Sequence, residues 1–284
     1  MINPLKEKDV VIYKLGNTFL HDILQKSDEK DAQILQKYWQ PDEPATNLNQ
    51  AYERLLNSVK NRNRMPSFIN SIIGNIKGLE SILDQFDPHR ISDKYSASSD
   101  WKKLSDHIIK ELGIEKKLNT TNRGLWPKFC QAAISGARFL SGFKDYREFS
   151  SWLSIFNKDE TTRASLALLI SCEIDGFGFA LACDFIMELG HCNLSENFGK
   201  PDVHLKSIFN ELKLCESKNG LRADYEVFKA IQRIAKNNNQ TPYKVDRLFW
   251  LIGSGNFYLD NKPSLGRHKK EFIKYSKKQS PNLF

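Results

Sequence analysis

Apolar residues recur at three- and four-residue spacing along most of this 284-residue chain, the signature of amphipathic helices. AYERLLNSVKN (51–61) and SFINSIIGNIKGLESILDQF (67–86) carry the pattern. SDWKKLSDHIIKELGI (99–114) continues it through Trp101, Leu104, Ile108 and Leu112, with Ser99 or Asp100 placed to cap. LWPKFCQAAISGARFL (125–140), YREFSSWLSIF (146–156) and ETTRASLALLISCEI (160–174) follow. Two-residue alternation is short and rare, so the predicted fold class is all-α without a substantial sheet. Breaks at 40–47, 87–100, 118–124 and 191–201 read as helix connections rather than long linkers. No internal repeat or low-complexity tract interrupts them.

Two later segments begin at clear punctuation. From Asp202 the chain reads DVHLKSIFNELKL, where Leu205, Ile208, Phe209 and Leu212 form one buried face and Pro201 stops any helix from upstream. Asp202 then sits at the N-cap, and His204 falls in the first turn. In TPYKVDRLFWLIGSG (241–255), Thr241 and Pro242 occupy cap and first-turn positions, Val245, Leu248, Phe249 and Ile252 face the core, and Gly253 is expected to end the helix. The GSG beyond is read as a loop with DNA contact as its functional alternative.

Composition narrows the class. Apolar residues make up 40 % of the chain, enough for a core and against wholesale disorder. The net charge of +8, from 42 Lys+Arg against 34 Asp+Glu, favours an anionic partner, of which nucleic acid is the commonest. The basic end GRHKKEFIKYSKKQS (266–280) reads as a solvated terminal helix, or else as an arm touching phosphates. Five cysteines, an odd number with no CxxC among them, argue against a disulfide framework, zinc or an iron–sulfur cluster, and no metal or cofactor is expected. No apolar segment follows the first basic residues as in a secretory leader, and none approaches the roughly 18 residues of a membrane span. The expected setting is therefore cytoplasmic or nuclear, with no membrane partner.

In EIDGFGFALACDF (173–185), two glycines one residue apart lie between helical segments. Glycine admits positive φ and close backbone approach. A helix starting near Phe179 leaves the amides around Gly178 to Ala180 without intrahelical partners, an opening for an oxyanion such as a DNA phosphate. The dinucleotide-binding alternative needs a strand before the turn and a third glycine after it, where this chain has a helix and Ala182. An ordinary helical hairpin stays open as the plain structural reading, as does a capping role alone for Asp202.

Taken as an ordered pair, these motifs resemble the helix-hairpin-helix/Gly-Pro-Asp superfamily of DNA glycosylases. Its hairpin, Leu-Pro-Gly-Val-Gly with an alanine beyond, is matched by Ile174-Asp175-Gly176-Phe177-Gly178 and Ala182. Its Val-Asp-Thr-His-Val helix start is matched at Asp202 and His204, and Gly199-Lys200-Pro201-Asp202 echoes the Gly-Pro-Asp signature with one lysine inserted. The resemblance is tightest over residues 160–212. It implies two helical subdomains: 66–198 as the hairpin-bearing barrel, 1–65 with 199–284 as the second lobe, and an active site in the cleft between them. It implies a monomeric enzyme that hydrolyses the N-glycosidic bond of a damaged, modified or mismatched base flipped out of double-stranded DNA. Asp202 is the catalyst and His204 its neighbour; backbone at Gly176, Phe177, Gly178, Phe179 and Ala180 grips the strand. Trp126 and Phe68 are candidate pocket walls, and Asn75 is a candidate for filling the gap left by the flipped base.

The chain also departs from the family. Bifunctional members carry a lysine where Ala180 stands, so hydrolysis without a Schiff base is expected; neither Lys128 nor Lys206 has the spacing of a substitute. Asp175 replaces the hairpin proline and brings a negative charge to the turn unless it caps the next helix. The four-cysteine cluster of some relatives is absent. Two other readings of the same residues are a non-catalytic helix-hairpin-helix DNA-binding protein and a helical scaffold whose basic surface meets an acidic protein.

Overall fold

A computed structural model describes residues 4–25, 35, 38–62, 65–114, 118, 121, 124–191, 193–255 and 266–284. Among the described residues all regular structure is helical and no strand forms, as the spacing of apolar positions predicts. The chain divides into two compact units, Glu43–His191 and the pair of segments Met1–Asp42 and Cys192–Phe284. The sequence reading sets these boundaries at 65/66 and 198/199. The first difference is α2 (Leu48–Lys60), which packs on α6 (Leu125–Ser141) and α9 (Phe179–Glu188) inside the 43–191 unit.

In that unit α6 is the central helix. It packs against α2, α4 (Pro88–Lys94) and α5 (Trp101–Leu112), with Trp126, Phe129, Cys130, Ile134 and Leu140 buried along it. Asn47 caps α2 by accepting the Gln50 amide at 2.8 Å, and the hydroxyl of buried Tyr52 donates to the Ala133 carbonyl at 2.8 Å. The helix expected over 67–86 is interrupted: α3 (Met65–Ile73) ends at Gly74, whose φ of +75° an α-helix does not admit, and short 3₁₀ turns follow. Conversely α4 forms inside a stretch read as a connection, because Asp87 accepts the His89 amide at 3.0 Å and Pro88 opens the first turn. Asp100 does not cap α5 with its side chain; it reaches back to the Ala97 amide. The remaining helices are α7 (Tyr146–Ile155) and α8 (Glu160–Glu173), the latter capped by Asp159.

In the other unit α12 (Pro242–Ser254) is central, packed against α1 (Pro4–Gln25), α10 (Val203–Glu211), α11 (Gly220–Asn237) and α13 (Lys269–Gln279). Its core joins Ile12, Leu205, Phe209, Ile231, Leu248, Phe249 and Phe272. Buried Phe272, with Ile273 and Tyr275 packed beside it, fixes the basic α13 to this core, while Lys270, Lys274, Lys277 and Lys278 are exposed. Thr241 caps α12 as read from the sequence, but the helix runs past Gly253 and ends at Gly255.

Buried Asp9 ties α1 to α11. Its Oδ2 accepts from Arg233 Nε at 2.7 Å and from Asn237 Nδ2 at 2.8 Å. Burial raises the Asp9 pKa, and Arg233 opposes the rise. Asp9→Ala is expected to cost about 3 kcal/mol, the low end for a broken buried pair because Arg233 keeps some solvent, measured as a fall in the urea midpoint.

Candidate active site

The mouth of α10 is assembled from the preceding segment inward. Buried Phe198 packs on Phe228, with ring centroids 5.7 Å apart. Gly199 then passes so close to α11 and α12 that a Cβ would lie 2.8 Å from Ile231 and 3.2 Å from Asp246 Cβ. The Lys200 amide donates to Asp246 Oδ1 at 2.8 Å, and the Asp202 amide donates back to the Lys200 carbonyl at 2.7 Å. This turn delivers Asp202 as the N-cap of α10, where Oδ1 accepts the amides of His204 at 2.8 Å and Leu205 at 2.9 Å. Oδ2 has no hydrogen-bond partner among the described residues, and the side chain is only half-buried. Asp202 thus has one oxygen fixed to the helix and one open.

His204 rests on α12 at Gly253, where a Cβ would come 2.6 Å from the His204 Cβ. Gly253 therefore permits the α10–α12 approach rather than ending α12. Burial lowers the His204 pKa below the ordinary histidine range; Asp202 opposes this, while Lys269 and Arg267 reinforce it. At neutral pH His204 is a neutral imidazole beside two cations. Lys206, which lacks the spacing of a lyase lysine, is ion-paired to Asp224.

The 43–191 unit holds the glycine turn. The Phe177 amide closes it on the Ile174 carbonyl at 3.0 Å, and Gly176 has φ of +79°. Arg62 Nη1 donates to the Gly176 carbonyl at 3.0 Å, and the Asp175 amide donates to Ser135 Oγ at 2.9 Å. α9 begins at Phe179 with Gly178 as its N-cap, and no side chain caps it. Asp175 is exposed and does not supply that cap. The side chains of Phe177 and Phe179 are buried and form no ligand-facing surface; Ala180 is half-buried.

Of the pocket candidates, Trp126 is corrected to a core residue. It is 0 % exposed, stacks on Phe129 at 5.8 Å, and its indole N–H donates to Ser105 Oγ at 2.7 Å. Phe68 is half-buried with its ring centroid 6.4 Å from that of Trp126. Asn75 is exposed, and its Oδ1 accepts the Gly78 amide at 3.1 Å.

The residue that sequence reading missed is Asp246. It is 1 % exposed, and burial pushes its pKa up to about 8, with the charge of Asp202 adding and Arg247 and Lys200 opposing. The signal was present: a carboxylate next to Val245 and one turn before Phe249 lies within an apolar stripe.

The described fold is an all-helical chain of two units, one bearing a half-open N-cap carboxylate and the other an uncapped glycine turn. No protein-family model, curated protein or solved structure matches it.

Gly176→Ala is expected to cost about 1–2 kcal/mol, because Cβ must adopt a left-handed conformation 3.0 Å from Arg62. Gly178→Ser, at an N-cap in open space, should hold or raise the melting temperature in the same assay.

Asp246 also sets a pH dependence. Its folded pKa stands above the unfolded 3.8, so the folded chain keeps a proton that the unfolded chain releases. Its stabilising contribution is complete below that value and is lost as pH rises to about 8. The loss approaches about 1.4 kcal/mol per pH unit at most. Urea midpoints of the wild type should therefore fall relative to Asp246→Asn across this window, and the gap should be constant above it.

Proposed function

We propose that this chain is a DNA glycosylase that hydrolyses the N-glycosidic bond of a damaged, modified or mismatched base, without a lysine Schiff base. One observation carries the reading: Asp202 spends Oδ1 on two helix amides and keeps Oδ2 open. Departure of a base leaves positive charge on the sugar, and a fixed carboxylate stabilises that oxocarbenium character. The same oxygen can accept a proton from the water that forms the new bond to C1′, while the glycosidic electron pair leaves with the base.

Three features support DNA as the substrate. The chain is basic, the N-cap of α9 is a glycine with no capping side chain, and Arg62 and Ser135 hold the glycine turn that precedes it. Ala180, at the position of the family's lyase lysine, supports a hydrolytic rather than a bifunctional enzyme. A flipped base costs a few kcal/mol to extract, least when it is damaged or mispaired, which sets the substrate class.

The test is release of free bases from duplex DNA bearing a panel of modifications, read by mass spectrometry. Asp202→Asn should lower the release rate about 10²–10³-fold. Duplex binding should survive in the same variant and weaken steeply with salt. Binding with no base release from the wild type would identify a helix-hairpin-helix binding protein whose Asp202 only caps a helix. Neither binding nor release would leave the scaffold reading.

A further inference from the structure

We infer that Asp246 is a positioning residue for Asp202, acting through the backbone of Lys200. The inference rests on the glycosylase reading for its kinetic consequence, though not for its structural one. Hydrogen bonds joined by the short backbone from Lys200 to Asp202 link one carboxyl to the other. Asp246 Oδ1 takes the Lys200 amide at 2.8 Å, the Lys200 carbonyl takes the Asp202 amide at 2.7 Å, and Asp202 Oδ1 takes the His204 and Leu205 amides at 2.8 and 2.9 Å. Cutting the first link frees a turn that otherwise has one arrangement, and the open Oδ2 moves with it.

Helix α12 makes this a two-point fixture. Asp246 and Gly253 are seven residues apart, two helical turns and about 10 Å along one face. The first holds the residue two before Asp202, and the second seats the residue two after it. Asp246 has no route to substrate of its own, since it is buried, and its carboxyl is not an open base.

Charge fits the same role. The groups facing Asp246 are Arg247 beside it on α12, Lys200 and Asp202 from the entering segment, and Tyr38, whose ring lies 5.4 Å from the Arg247 guanidinium. Burial keeps Asp246 largely protonated at neutral pH. It therefore accepts the amide without placing a second negative charge beside Asp202.

Three readouts on the full chain test this. In Asp246→Ala, hydrogen exchange at the Lys200 amide should quicken by about tenfold or more, and the Asp202 carboxyl ¹³C titration should shift. Base release should slow by about 10–100-fold in kcat with KM little changed, as expected when a catalyst is misaligned and binding is not. Asp246→Asn, which keeps an acceptor oxygen, should recover most of all three. If the alanine variant does not fold, Asp246→Val replaces it. In the wild type the Lys200 amide ¹⁵N shift should follow the Asp246 titration near pH 8 in any case. Unchanged exchange and an unchanged Asp202 titration in the variant, or a loss in Asp246→Asn equal to that in Asp246→Ala, would overturn the inference. A wild type that releases no base defeats the glycosylase reading alone, because exchange and titration then decide the positioning role.

Discussion

A protonated carboxyl buried in α12 and accepting one backbone amide is the constraint from which the mouth of α10 is built. An ionised carboxylate at that depth would cost several kcal/mol without a full set of partners. Asp246 avoids the cost by holding its proton, as its raised pKa reflects. The bond to Lys200 then satisfies a backbone donor that the tight Gly199–Asp202 turn would leave orphaned in the core. Gly199 is part of the same arrangement, since any larger residue would push the chain off Ile231 and Asp246. The turn, the cap and the seat of His204 all follow from one face of one helix.

The glycine turn of the 43–191 unit is organised by the opposite use of polar groups. Arg62 takes a carbonyl and Ser135 an amide, so the turn's own groups are satisfied by the scaffold. At the start of α9, glycine stands where Ser, Thr, Asp or Asn would supply a capping side chain. Asp175 is exposed on the same turn and does not cap α9.

Helix starts were legible because their determinants are local. Pro201–Asp202, Thr241–Pro242 and the Gly178–Phe179 junction each act within a residue or two of the position they specify. The misreadings arose where spacing and backbone conformation diverge. Apolar periodicity runs through Gly74, yet its positive φ breaks the helix there. Gly253 resembled a terminator, while the close approach of His204 explains it better. Trp126 illustrates a further limit: an aromatic at a helix start fits a pocket or a core equally well until its indole N–H is seen bonded to Ser105. Asp246 was hidden because apolar periodicity describes a buried face without showing that one acid within it answers a distant amide.

The cations around α10 bear on which chemistry the open oxygen of Asp202 can serve. Lys206 is tied up by Asp224, and Ala180 offers no amine, so on the glycosylase reading neither residue supplies a covalent intermediate. Arg267 and Lys269 act electrostatically on His204 and, with burial, hold its imidazole neutral. On the same glycosylase reading, a neutral His204 does not compete with a developing sugar cation for the charge of Asp202, whereas an imidazolium two residues away would. On that reading, a single carboxylate kept free of a protonated histidine, with Lys206 paired to Asp224, favours attack by water over attack by an amine.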